Sequence, residues 1–149
     1  MSIKIIDGDL FDTDARYICH QVNCQGRMGS GVAKTVREKF PEAFEQYKKE
    51  CYKGGCLGSV QFVASNGKII INMFAQDRYG YDGKKYTNDD AFVKCLAEIQ
   101  SAVPDGATIA MPYRIGCGLG GGDWETILSY IENILAPHYK VELWRKGYR

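Results

Sequence analysis

The segment from Ala107 to Trp124 constrains this chain more than any other. A short apolar run, Ala107 to Met111, leads through Pro112 into Arg114-Ile115-Gly116-Cys117-Gly118-Leu119-Gly120-Gly121-Gly122-Asp123-Trp124, where a helical pattern begins. A strand, a glycine-rich loop and a helix in that order can hold a phosphate. Loop N–H groups turn inward, and the helix N-terminus adds positive partial charge. Five glycines among the seven residues Gly116 to Gly122 let the backbone approach a ligand closely. A mobile surface loop has the same composition, so a second feature has to decide between the two.

That feature is a second strand–glycine loop–helix unit. Ala15 to Val22 has the pattern of a strand and ends at Asn23-Cys24. The loop Gly26-Arg27-Met28-Gly29-Ser30-Gly31 follows, and then a helix with Val32, Ala33, Val36 and Phe40 at helical spacing. Pro41 ends that helix and starts the next, which Gly54-Gly55 closes. Ile3 to Ile6 is a short strand ended by the turn Asp7-Gly8-Asp9. Val60 to Ala64, a hairpin turn at Asn66-Gly67 and the near-continuous apolar run Lys68 to Phe74 form an antiparallel pair whose second strand is buried on both faces. Thr87 or Asn88 caps a helix reaching about Val103. Asp123 caps another over Trp124 to Leu135, and Val141 to Trp144 is a last strand. Strands alternate with helices, so the expected fold is α/β: a three-layer α/β/α sandwich with a mixed, largely parallel central sheet, in one domain over 1–149. Ligands of such sheets bind beyond the C-terminal strand ends, where both glycine loops fall.

Composition excludes several functions. A net charge of +1 argues against a general nucleic-acid surface, and nucleic acid is not expected as a partner. No apolar stretch reaches the roughly 20 residues of a membrane span, and no basic-then-apolar leader is evident, so a cytoplasmic protein with no membrane partner is expected. The six cysteines, Cys19, Cys24, Cys51, Cys56, Cys95 and Cys117, show no C-x-x-C spacing. They are expected as free thiols, without a structural metal. Neither loop carries the Gly-Lys-Ser/Thr of a triphosphatase, and the first strand lacks a dinucleotide-binding fingerprint.

With these residues in place, the chain resembles the macro domain family, modules that bind ADP-ribose. The resemblance covers nearly the whole sequence. It rests on Gly8-Asp9-Leu10, on Asn23, on Gly26 to Ala33 and on Ile115 to Trp124, in that order. It implies that Asp9, with Leu10 beside it, accepts a hydrogen bond from the adenine amine. Asn23 and the loop carrying Arg27, Met28, Gly29, Ser30, Gly31 and Val32 would surround the distal ribose. The loop of Ile115, Gly116, Cys117, Gly118, Leu119 and Gly120 would cradle the diphosphate, and Trp144 could stack on adenine or pack in the core.

Two subgroups come closest. His20 at the end of the second strand, the segment Asn72 to Asp77, the helix start Tyr86 to Asp90 and the Gly-Gly-Asp-Trp after the second loop are similar to the yeast-type ADP-ribose 1''-phosphate phosphatase. The terminal ADP-ribose protein glycohydrolase uses a lysine and an aspartate where this chain has Ala75 and Gly120. The expected activity is therefore hydrolysis of ADP-ribose 1''-phosphate. Removal of ADP-ribose from modified macromolecules and non-catalytic binding of ADP-ribose are the alternatives. His20 and Asp90 are the catalytic candidates, an imidazole that titrates near neutrality and a carboxylate to partner it. Each also has a structural reading, as a core histidine and a helix first-turn acid. Cys117 lacks the following arginine of a cysteine phosphatase. Lys84 and Lys85 could reach the site, and with Arg78, Tyr79, Tyr81 and Tyr86 they form the one aromatic–basic cluster that could bind RNA. The expected ligand is ADP-ribose or its 1''-phosphate, or an ADP-ribosylated macromolecule, with no cofactor or metal and a monomeric state.

Overall fold

The computed structural model of the chain describes residues 2–146. Six strands, β1 (Ser2–Asp7), β2 (Tyr17–Val22), β3 (Val60–Ser65), β4 (Lys68–Phe74), β5 (Thr108–Pro112) and β6 (Lys140–Arg145), form one sheet in the order β1-β6-β5-β2-β4-β3. All neighbours pair in parallel except β3 with β4, which the tight turn at Asn66-Gly67 folds back antiparallel. Asn66 and Gly67 both have positive φ, 49° and 81°, as a two-residue hairpin turn requires.

Four helices cover the two faces. α1 (Gly31–Lys39) and α2 (Pro41–Lys53) lie on one face, α3 (Asp89–Ala102) and α4 (Trp124–Ile134) on the other. The sheet therefore feeds two cores, one on each face. In β2, Ile18 and Val22 pack with Val36, Ala43 and Tyr47 of α1 and α2, while Cys19 points to Phe92, Leu96 and Ile131 of α3 and α4. In β4, Ile70 and Phe74 take the first face, Ile71 and Met73 the second. This is why Lys68 to Phe74 reads as an unbroken apolar run.

The caps follow local chemistry. Asn88 accepts from the N–H of Ala91 at the start of α3, and Asp123 from that of Thr126 at the start of α4. Pro41 occupies the first turn of α2, and Gly54 at φ 81° ends it. A 3-10 turn over Leu10–Asp12, absent from the periodicity, follows β1, with Asp9 as its N-cap. All six cysteines are free thiols, and no helix among the described residues is long and apolar enough to cross a membrane. The α3 core supplies a stability test. Phe92→Ala removes a fully buried ring and should cost roughly 3–5 kcal/mol, seen as a lower urea midpoint. Phe62→Ala, on a side chain 39% exposed, should cost much less.

Candidate functional site

Parallel pairing brings the C-terminal ends of β1, β6, β5, β2 and β4 to one rim, and two adjoining chambers open there. One, of about 330 Å³, lies between the ends of β2 and β5, and Gln21, Asn23, Arg27, Gln76 and Gly116 are among its walls. The other, of about 800 Å³, is lined by Asp9, Leu10, Phe11 and Thr35 with Trp144, Arg145 and Lys146. Gly31, Val32, Pro112, Tyr113 and Arg114 border both, so the two chambers form a single groove with a waist between α1 and the start of the glycine loop.

The outer chamber combines aromatic walls with one carboxylate. Asp9 Oδ1 accepts from the Phe11 N–H at 3.0 Å, and Lys146 Nζ lies 3.1 Å from Oδ2. These contacts, the backbone N–H foremost, hold its carboxyl below the usual carboxylate range. Gly8, at φ 152°, lies close beneath Trp144: an added Cβ would come 3.1 Å from the indole. Phe11, Tyr113 and Trp144 make this chamber apolar enough for a planar base, with Asp9 as acceptor for an amine.

At the waist, Ser30 stands at the N-cap of α1, but its hydroxyl meets Tyr81 OH at 2.7 Å and does not cap the helix. The first-turn N–H groups of α1 thus lack a side-chain acceptor, a setting that favours an anion. Among the described residues, the N–H groups of Gly116, Gly118, Leu119 and Gly120 also have no acceptor, whereas Ile115, Cys117, Gly121 and Gly122 donate within the loop.

The glycine loop is tied to β2 and to the segment before α3 by hydrogen bonds, which its composition does not reveal. Gly120 O accepts from the N–H groups of Tyr86 and Thr87 at 2.7 and 2.8 Å. Thr87 Oγ1 donates to Gly116 O at 2.6 Å and accepts from Gln21 Nε2 at 2.8 Å. Gln21 also donates to Gln76 Oε1 at 2.7 Å. The orientation of these amides follows from that network. A Cβ on Gly120 would lie 2.6 Å from Thr87 Oγ1 and 2.7 Å from Gly116 O, so the position has no room for the aspartate expected of a terminal ADP-ribose protein glycohydrolase. Ala75, at the lysine position, is fully buried.

Asn23 anchors the other loop. Its Oδ1 accepts from Gln25 N at 2.9 Å and Tyr47 OH at 2.7 Å, and its Nδ2 donates to Arg27 O at 2.9 Å. Tyr47 OH in turn accepts from Arg27 N at 3.0 Å, tying the loop to the core. Asn23 still reaches the inner chamber, as do Arg27, Gly29, Ser30, Gly31, Val32, Ile115, Gly116, Gly118, Leu119 and Gly120.

Four sequence-based expectations need correction. Met28 lines neither chamber: its side chain is 1% exposed, in the core beneath α1 and α2. Cys117 also lines neither. Its thiol donates to Ile115 O at 3.4 Å and is pushed up by burial, the reverse of an activated nucleophile. His20 reaches the floor of the inner chamber but is 1% exposed, and its Nε2 meets Asn72 Oδ1 at 2.7 Å. Asn72 Nδ2 is directed to Ala43 O and Gln61 Oε1, so Nε2 of His20 is the donor. Burial brings the imidazole down to about 4, outweighing the opposing hydrogen bond. At neutral pH it is uncharged, has no proton to give as imidazolium and is a weak base. Asp90 is exposed on the first turn of α3 and lines neither chamber, so it does not partner His20. Lys85 pairs with Asp89 at 3.0 Å and Lys84 with Asp82 at 3.8 Å, both outside the groove.

Gln21, Gln76, Tyr113 and Phe11 were not legible as site residues, and Tyr79 and Tyr81 belong to the inner chamber's edge. Gln21 alternates with His20 on β2, so its side chain faces away from α1 and α2 and meets the glycine loop.

Two measurements check this geometry. Gly120→Ala should lower stability by roughly 1–3 kcal/mol through the contacts with Thr87 and Gly116, read by urea unfolding. His20 binds its proton more readily unfolded, near 6.5, than folded, at about 4. Its contribution is therefore complete above pH 6.5 and is lost as pH falls towards 4, on the order of 3 kcal/mol. His20→Asn should flatten the decline in unfolding free energy over that window.

Comparison with known proteins agrees with this architecture. The profile of the macro domain matches residues 19–131. A DNA ADP-ribosyl glycohydrolase of Mycobacterium tuberculosis is 30% identical over 125 residues, 80% of this chain and 35% of that protein. The chain thus spans about a third of that relative's length. An ADP-ribose 1''-phosphate phosphatase of Meyerozyma guilliermondii is 27% identical over 156 aligned positions, 83% of this chain and 88% of that protein. A solved structure of a Bacteroides thetaiotaomicron protein superposes with a TM-score of 0.82 at 27% identity, covering 97% of this chain and 99% of that one. With a mixed, mostly parallel sheet between two helical layers and a family profile spanning most of its length, the chain belongs to the macro domain family.

Proposed function

We propose that the chain binds ADP-ribose along the rim groove and hydrolyses ADP-ribose 1''-phosphate to ADP-ribose and inorganic phosphate. One observation carries this reading: Arg27 and Arg114 line the inner chamber and, among the described residues, no carboxylate does. A transferring phosphoryl group is anionic throughout, and its catalysis rests on positioning and charge stabilisation. Arginines with unpaired loop N–H groups suit that demand. Cleavage of a glycosidic bond builds positive charge on the sugar and ordinarily draws on two carboxylates. The inner chamber opposes such a charge.

In this assignment adenine lies between Phe11, Tyr113 and Trp144 with its amine towards Asp9, and Lys146 gives way. The diphosphate crosses the waist, and the distal ribose enters beside Asn23 and Gln21. Water attacks phosphorus, the bond from phosphorus to the ribosyl oxygen breaks, and that oxygen takes a proton. The phosphate's own oxygens can accept the water proton, so no carboxylate base is required. The name of the mycobacterial relative supplies the second reading, removal of ADP-ribose from DNA. Tyr79 and Tyr81, exposed at the chamber's edge, favour it by offering a base a stacking surface.

Titration calorimetry with ADP-ribose, alongside phosphate release from the 1''-phosphate, tests the proposal. Wild type should bind, and Asp9→Ala should bind about tenfold more weakly. Phosphate release should fall about tenfold or more in Arg27→Ala and stay unchanged in Asp90→Ala. Binding without phosphate release overturns the phosphatase. Release of ADP-ribose from a modified oligonucleotide in its place establishes the second reading.

A further inference from the structure

We infer that Arg114 is the cation that holds the diphosphate at the waist of the groove, kept for that purpose in a backbone conformation its own residue type disfavours. The inference rests on the ADP-ribose reading and adds to it a side chain that recognises charge where backbone N–H groups alone would not suffice.

Three observations converge on this residue. First, apart from the hairpin residue Asn66, Arg114 is the non-glycine with positive φ among the described residues, at 62°. The left-handed region crowds a Cβ and is adopted readily by glycine, so a long side chain there needs a reason. The main-chain bonding of the turn supplies none. The turn is closed by main-chain bonds, Ile115 N to Pro112 O at 3.1 Å and Cys117 N to Arg114 O at 2.9 Å, and glycine would make these equally well. Second, Arg114 borders both chambers, which places it where a linker between a nucleoside half and a ribose half must cross. Third, it is an available charge. Of the other cations bordering the outer chamber, Arg145 is paired with Asp7 at 2.8 Å and Lys146 with Asp9 at 3.1 Å. Arg114 is exposed and, among the described residues, no ion pair engages it, though its charge reaches Asp123 and helps to hold that carboxyl down. A guanidinium at the waist, which the uncapped first turn of α1 also borders, adds a full charge and a forked donor to the partial charges there.

The test uses the whole chain in three forms, wild type, Arg114→Gln and Arg114→Gly, with ADP-ribose, ADP and adenosine as ligands at low and high ionic strength, together with thermal unfolding. The glutamine keeps a polar side chain on the strained backbone but removes the charge; the glycine removes the side chain and the strain together. Both variants should bind ADP-ribose and ADP about tenfold to a hundredfold more weakly than wild type, with a shallower salt dependence, and adenosine equally well. Arg114→Gly should melt no lower than wild type, since the strain is relieved as function is lost. Three results overturn the inference: unchanged affinity for ADP-ribose in both variants, equal losses for adenosine and ADP-ribose, or a melting temperature that falls in step with affinity. Failure of wild type to bind ADP-ribose at all removes the underlying ligand assignment, which separates that outcome from a failure of Arg114 alone.

Discussion

Parallel pairing is the constraint on which everything else here depends. In β1, β6, β5, β2 and β4 the chain runs the same way, so every connection that could carry a ligand group leaves the sheet at the same edge. The register then decides which groups meet. Trp144 lies opposite Ile6 on one side and Pro112 on the other, which brings Asp9, Trp144 and Tyr113 to one chamber. Val22 lies opposite Phe74, which sets Asn23 beside the segment leading to Gln76. A slip of one residue would exchange the two core faces of a strand and carry these groups to the wrong side.

Rigidity at the rim comes from a polar network more than from packing. The glycines from Gly116 to Gly122 confer close contact in place of looseness. Gly121, at φ 69°, would set a Cβ 2.6 Å from Lys84 O, and Gly122 would set one 2.8 Å from Gly116 O. Glycine is what lets the loop fold onto itself and onto the start of α3. Gln21, Gln76 and Thr87 then lock it from beneath. N–H groups held in place before a ligand arrives need no reorganisation on binding, the condition under which dipoles stabilise charge best. The neutral His20 fits the same picture. It braces β2 against β4 through Asn72 and leaves the chemistry of the chamber to donors.

Much of the fold was legible because each element carries its own physical signature. The two-sided apolar run of β4, the caps Asn88 and Asp123, Pro41 at the head of α2 and the Asn66-Gly67 turn are local facts, and the structure has each where the residues imply it. The direction of individual side chains was less legible. A strand buried on both faces gives no alternation of polarity to say which way His20 and Gln21 point. Met28 and Cys117 sit between ligand-lining neighbours, yet the turn of the backbone sends both inward. The network joining Gln21 to Thr87 spans 66 residues and has no local sign. The left-handed turn at Arg114 is equally silent in the sequence, since nothing about an arginine announces positive φ.

On this proposal the two chambers act as one site for a single two-headed anionic ligand. The most direct measurement is the map of backbone amide chemical shifts during titration with ADP-ribose. Concerted shifts are expected at Asp9 to Phe11, at Gly116 to Gly120 and at Asn23 to Gly31, all following one dissociation constant. Shifts confined to one chamber, or two sets of residues following different constants, would contradict it.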